Sequence, residues 1–277
     1  MSKHDLLPHR RDRLPARTTR DRLPAGTEGA LGFAAGLAVA GGFWLGRRLS
    51  RALPTGRGHP AKHRALDSAA ALAQRKIPLE SMNTYLNGFH MYADDMGRQV
   101  EASHFCMHLA PDLHQCVIFD SNANNARLIG IEYIISAERY ERLPDDEKQL
   151  WHSHHYEIKS GQLVAPGIPE RAERAYFEDL VTTYGKTFHT WQVDRDDFPY
   201  GVPQLMMAFT GDGQVDRDKL AERDKRLGVD SDKRRAKRAD IPMPRVHPQA
   251  NCWQSGQSVQ TTRQQCAFHR TDGGSDG

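Results

Sequence analysis

The chain has 277 residues, of which 38% are hydrophobic and 26% charged, and its formal net charge is +3. That length holds one generous domain or two small ones, and the near-balance of basic and acidic side chains excludes the global positive field that argues for nucleic-acid binding. Four cysteines are too few for a disulfide-built scaffold of this size.

Residues 1–28 are rich in arginine and proline and contain the direct repeat RDRLPA at 11–16 and 20–25. Two copies do not make a solenoid, and proline with no apolar period predicts a disordered arm. Residues 29–46 read GALGFAAGLAVAGGFWLG, without a charge. Three readings stay open for them. One is a single membrane helix, of marginal length against the roughly 20 residues a span needs. In that reading Gly32/Gly36 and Gly42/Gly46 have the spacing for close helix self-association, and Phe43 and Trp44 beside Arg47, Arg48 and Arg51 form an interfacial anchor. The second is an export signal with Ala38-Val39-Ala40 as the small-residue cleavage site. The third is a flexible glycine–alanine linker. Arginines on both sides leave the orientation open.

Residues 47–64, with Pro54, Gly56, Gly58 and Pro60, read as a linker to a single domain over residues 65–253. A helix is expected from Lys62, because Ala65 to Ala73 is mostly alanine and leucine. Leu79, Met82, Leu86, Phe89, Ala93, Met96 and Val100 then alternate spacings of three and four, which predicts an amphipathic helix. Strands are expected over 103–109, 113–120 and 128–135, a short acidic helix from Leu143 to Trp151, and a strand over 156–164 turning at Ser160-Gly161. A helix follows over 169–184, then strands over 187–193 and 204–209. The expected class is α+β, with short antiparallel strands and hairpins packed with a few helices.

A three-residue loop at Ala110–Asp112 would set His108 opposite His114, Cys106 opposite Cys116 and His104 opposite Ile118, all on one face. His152, His154, His155 and Glu157 form a second group, in an HxH-then-glutamate arrangement like the cupin pattern but with a shorter gap. Imidazole and carboxylate are transition-metal ligands, so His104, His108, His114, His152, His154 and Glu157 are the candidate ligands for zinc or iron. The competing readings are a polar, hydrogen-bonded sheet face with the cysteines as small hydrophobes, a Cys106–Cys116 disulfide that could also act as a redox pair, and Cys106 as a nucleophile beside a histidine. GxSxG, GxxxxGK[ST] and HExxH are absent, so no motif assigns a reaction.

The stretches GFHMYADDMGRQVEASHFCMHL (88–109), QCVIFDS (115–121), ARLIGIEYIIS (126–136), LWHSHHYEIKSG (150–161), YGKTFHTWQVDR (184–195) and GVPQLMM (201–207) resemble the oil body-associated protein family. The likeness continues through RDKRLGV (223–229) and RADIPMP (238–244), and so covers roughly residues 65–253. The resemblance implies a structural protein of lipid-body or membrane surfaces, in a family with plant, fungal and bacterial members, and it implies no reaction, cofactor or catalytic residue. The apolar 29–46 segment lies outside it. Residues 216–238 alternate in charge and predict a solvated helix laced with ion pairs; the functional reading is a basic face of Lys233, Arg234, Arg235, Lys237 and Arg238 for anionic headgroups. Residues 254–277 are expected to be a disordered tail.

Overall fold

The computed structural model describes residues 61–267. The arm, the 29–46 segment with its glycine spacings, most of the linker and the last ten residues of the tail lie outside them. No helix of the described residues is long and apolar enough to cross a membrane. The chain divides at residue 74. On one side is helix α1 (Ala61–Ala73), as its alanine content predicts.

On the other side, after one helical turn α2 (Ile77–Glu80), come strands β1 (Thr84–Tyr92), β2 (Asp95–Ala110), β3 (Leu113–Phe119) and β4 (Leu128–Ile135) as an antiparallel meander. Short helices α3 (Ala137–Glu141) and α4 (Asp145–Lys148), the two-residue strand β5 (His152–Ser153), and helices α5 (His155–Lys159) and α6 (Glu170–Leu180) follow. Then come strands β6 (Tyr184–His189) and β7 (Gln204–Met207), and helices α7 (Arg217–Leu227) and α8 (Ser231–Lys237).

The expected α+β packing of separate hairpins is not what forms. β6 pairs with β4 on one side and with β7 on the other, and β7 pairs with β1, so six strands close into an antiparallel barrel in the order β1-β2-β3-β4-β6-β7. β5 adds to the free end of β6. Closure removes the unpaired edges that a stack of hairpins would leave. It is invisible to local pattern, because the closing strands lie some fifty residues or more beyond their partners.

The helix expected over 79–100 is instead the β1–β2 hairpin, turning at Ala93-Asp94. Leu86 to Tyr92 are all buried, because β1 faces the barrel interior on one side and covering helices on the other. Burial on both faces hides the period of two that marks a strand, and the three-and-four spacing of its apolar residues is accidental. The strand expected over 156–164 is helix α5. Gly161, at φ 81°, ends that helix, and its N–H donates to the Ile158 carbonyl. A side chain there would meet the Ser231 carbonyl oxygen at 2.2 Å, so the contact with α8 also demands glycine.

The charged 216–238 stretch is largely exposed and laced with ion pairs, as expected, but it forms two helices rather than one and buries Arg223, Ser231 and Arg238. Asp216 caps α7, which is bonded to β1, and Asp230 caps α8, which is followed by Arg238 bonded to α5. Arg223 is fully buried. It donates from Nη1 to Asn87 Oδ1 on β1 (2.8 Å) and to the Gln162 carbonyl (2.8 Å), and from Nη2 to Ser231 Oγ (3.1 Å), while Nε pairs with Asp224. Arg238, also buried, donates to the Ile158 and Leu163 carbonyls and lies over the Phe177 ring. The proposed headgroup cations are each engaged: Lys233 with Asp230, Arg234 with Glu170 and Glu173, Arg235 with Asp212, Lys237 with Glu170 and Arg238 with Glu173.

Removing a buried cation strands its acceptors. Arg223→Ala is expected to cost about 3–5 kcal/mol, read as a fall of roughly 10 °C or more in Tm by thermal unfolding. A fall under about 2 °C would mean that Arg223 does not fasten α7 to β1.

Candidate functional site

The barrel interior is assembled by strand alternation. His104 on β2 faces Leu86 on β1 and Ile118 on β3, and Cys106 faces Cys116, which in turn faces Glu132 on β4. Glu132 faces Thr187 on β6, Gly130 faces His189, and Gly185 faces His152 on β5. These inward positions collect His90, His104, Glu132, His152 and His189, and His154 joins them from the residue before α5.

The predicted β2–β3 pairing of histidines and cysteines is present, reached differently. The turn is only two residues, Pro111-Asp112, and Leu109 is bulged out so that Ala110 faces Leu113. The bulge restores the register that a plain two-residue turn would have shifted. Cys106 and Cys116 form a disulfide inside the barrel.

Glu132 is the centre of the cluster, 2% exposed. His104 Nε2 lies 2.9 Å from Oε2, while His154 Nε2 (3.1 Å) and His152 Nε2 (3.4 Å, without hydrogen-bond geometry) face Oε1. Burial pushes the Glu132 carboxyl up, but the surrounding imidazoles outweigh it and hold the group ionised, well below the usual carboxylate range. Beyond His104 a relay continues through His90 (Nε2–Nε2, 3.3 Å) to His189 (Nδ1–Nε2, 3.1 Å). Burial, with the neighbouring imidazoles, lowers His90 well below its ordinary value and takes His189 down to about 3. Burial also lowers His154, against the pull of Glu132. Glu157 is buried 3.8 Å from His154, and burial with the Glu132 charge raises it well above the ordinary range, so it is held neutral.

Of the six ligand candidates, the structure brings together His104, His152 and His154, with Glu157 alongside. His108 and His114 stay apart at the end of the β2–β3 hairpin and contact each other (Nε2–Nε2, 3.1 Å); burial and the His108 ring lower His114 to about 4. Sequence reasoning missed Glu132 and His90 and gave His189 no role. Their signal was present: a lone carboxylate in LIGIEYII and a lone imidazole in LNGFHMY, each at an inward position of an otherwise apolar strand.

Glycine at 185 is a condition of this arrangement. A Cβ there would sit 2.1 Å from Glu132 Oε1, 2.7 Å from His152 Nε2 and 2.9 Å from His154 Nε2.

These features define a class: a closed six-stranded antiparallel barrel with a buried histidine–carboxylate centre and an internal disulfide. A family model described as "Protein of unknown function (DUF1264)" matches residues 76–242. The chain is 48% identical over 194 residues to oil body-associated protein 1A of Zea mays, covering 69% of this chain and 82% of that one. It is 46% identical over 189 residues to oil body-associated protein 1B of Arabidopsis thaliana (67% and 78%), and 38% over 205 residues to protein 2C of the same plant (73% and 86%). The chain belongs to the oil body-associated protein family. No solved structure gives a significant match.

Two outcomes test the interior. Gly185→Ala is expected to destabilise by about 1–3 kcal/mol through overpacking, measured by urea unfolding; an unchanged midpoint would show that the centre has room to spare. Replacing Cys106 and Cys116 together by alanine is expected to cost about 2–3 kcal/mol for so short a loop, and an unaltered thermal midpoint would remove the bond from the stability of the barrel.

Proposed function

We propose that this chain is a structural protein of lipid-body or membrane surfaces, and that it meets lipid through one outer face of its barrel. What carries the reading is an apolar band on β2, β3 and β4 that is partly exposed among the described residues. Phe105, Val117 and Ile131 are successive cross-strand neighbours and point outward; the row ends at Phe188 on β6, which packs against the Phe89 and Met91 cluster. Tyr85 stacks on Phe105 (5.1 Å) and Phe119 meets it edge-on (5.7 Å). Ile131 and Tyr133 are 39% and 40% exposed, and Leu109 and Leu128 extend the band at its ends. Outward strand positions of an antiparallel barrel in water ordinarily alternate to polar residues, and contiguous apolar surface of this kind marks a contact site.

The occupant of that face is a lipid surface, because relatives 36–48% identical to this chain are named for association with oil bodies. The basic residues of α8 take no part in this reading, being neutralised by carboxylates. Residues 29–46 provide a second attachment, as an apolar anchor whose glycine spacings also favour self-association. The export reading of the same segment stays a proposal too. The internal disulfide fits a protein that matures where thiols are oxidised.

Flotation of the full chain with phospholipid-coated triacylglycerol droplets tests the assignment. The wild-type chain is expected to float. Ile131→Lys with Val117→Lys is expected to cut the bound fraction at least about threefold while leaving the fold intact by circular dichroism, since both side chains face outward and partial loss of an apolar patch weakens rather than abolishes binding. Deletion of residues 29–46 separates the two attachments. If neither change alters flotation, or the wild-type chain does not float, the lipid-surface reading fails.

A further inference from the structure

The geometry points to a divalent transition-metal site inside the barrel, held by Glu132 Oε1, His152 Nε2 and His154 Nε2 over Gly185. This is independent of the lipid-surface reading and concerns a different part of the molecule.

The first observation is the protonation of His154, which its surroundings dictate. Thr183 Oγ1 lies 2.7 Å from the Leu180 carbonyl oxygen, so its single proton is donated there. The same oxygen is 2.8 Å from His154 Nδ1 and must accept from it. His154 therefore carries a proton on Nδ1 and aims Nε2 into the interior. Nε2 faces Glu132 Oε1 at 3.1 Å. A positive centre, either a proton or a metal ion, sits between these two atoms.

The second observation is His152. It is fully buried, yet neither ring nitrogen has a hydrogen-bond partner among the described residues. Its Nε2 lies 3.4 Å from the same Oε1. A proton on His154 Nε2 would satisfy one contact and leave His152 stranded; a metal ion takes all three donors at once. Buried polar atoms without partners are uncommon, and an unfilled ion site is one of their recognised causes.

The third observation is spacing. Glycine at 185 keeps a side chain out of this corner, where a Cβ would clash with Oε1 and with both Nε2 atoms. Bonds of about 2.0–2.1 Å in a tetrahedral site set the ligand atoms about 3.3 Å apart. The observed separations of 3.1 and 3.4 Å from Oε1 match that spacing without rearrangement. Thr183 supplies the outer hydrogen bond that fixes a metal-binding imidazole in its tautomer. A small cavity lined by His104, Glu132, His154 and Glu157 has room for about one water as a further ligand. Two imidazoles and one carboxylate suit zinc or ferrous iron.

The test uses the full chain with its disulfide intact, stripped with chelator and titrated with Zn2+, then with Co2+ as a visible probe. About one equivalent of zinc should remain after desalting, with cobalt giving ligand-field absorption of a four- or five-coordinate site. Glu132→Gln and His154→Gln should each raise the Kd more than about 100-fold, and Thr183→Val, which keeps all three ligands, about 10- to 100-fold. The His108→Gln/His114→Gln double variant, altered only at the separate hairpin pair, should bind as wild type. Uptake below about a tenth of an equivalent overturns the proposal. So does unchanged affinity in Thr183→Val, a readout that holds even where Glu132→Gln fails to fold. Loss of metal in the His108/His114 variant alone would overturn it as well, by placing binding at the hairpin end.

Discussion

An ionised carboxylate held away from water dictates much of this molecule. Glu132 projects from the middle of β4 into the barrel, where an unpaired charge would be prohibitive. It is tolerated because His104 arrives from β2, His152 from β5 and His154 from the start of α5. Those elements are brought around one oxygen pair only when the barrel is closed through β6. The paired carboxylate and the closed sheet are thus conditions of each other, and Gly185, directly across from Ile134 on β4 and His152 on β5, is the residue whose smallness lets them coexist.

The outside of the barrel is divided. Around β1 the outer face is covered: Asn87 is bonded by Arg223, and Phe89 and Met91 pack with Val215, Leu220 and Trp253. On β2, β3 and β4 the corresponding row is partly exposed among the described residues: Ile131 and Tyr133 meet solvent, beside half-buried Phe105, Val117 and Phe119. The two buried arginines explain the difference in cover. They hold the charged C-terminal helices on one flank by hydrogen bonds to β1 and to backbone carbonyls around α5, so a stretch that reads as solvated in sequence is built into the structure.

Local features were legible in the sequence and closure was not. The β2–β3 register, the bounds of β4 and the proline-led helix α6 rest on neighbours within a few dozen residues. Strand β1 was misread because burial on both sides erases alternation, and α5 because Gly161 marks a helix end as readily as a hairpin turn. Grouping His108 and His114 with His104 followed from parity, which reports the face of a strand but not the depth along it. Four residues of strand separate His104 from His108 by about 13 Å, enough to put one in the interior and the other at the rim. Glu132 escaped notice because nothing near it in sequence announces the imidazoles that receive it.

The disulfide also constrains how the protein comes into being. Its sulfurs are sealed inside, with Cys106 1% and Cys116 3% exposed. An oxidant reaches them only while the barrel is open. Both cysteines lie in one hairpin, ten residues apart, whereas β6 and β7 emerge from synthesis long afterwards. Oxidation therefore precedes closure of the barrel, and the bond records the environment in which the chain folds.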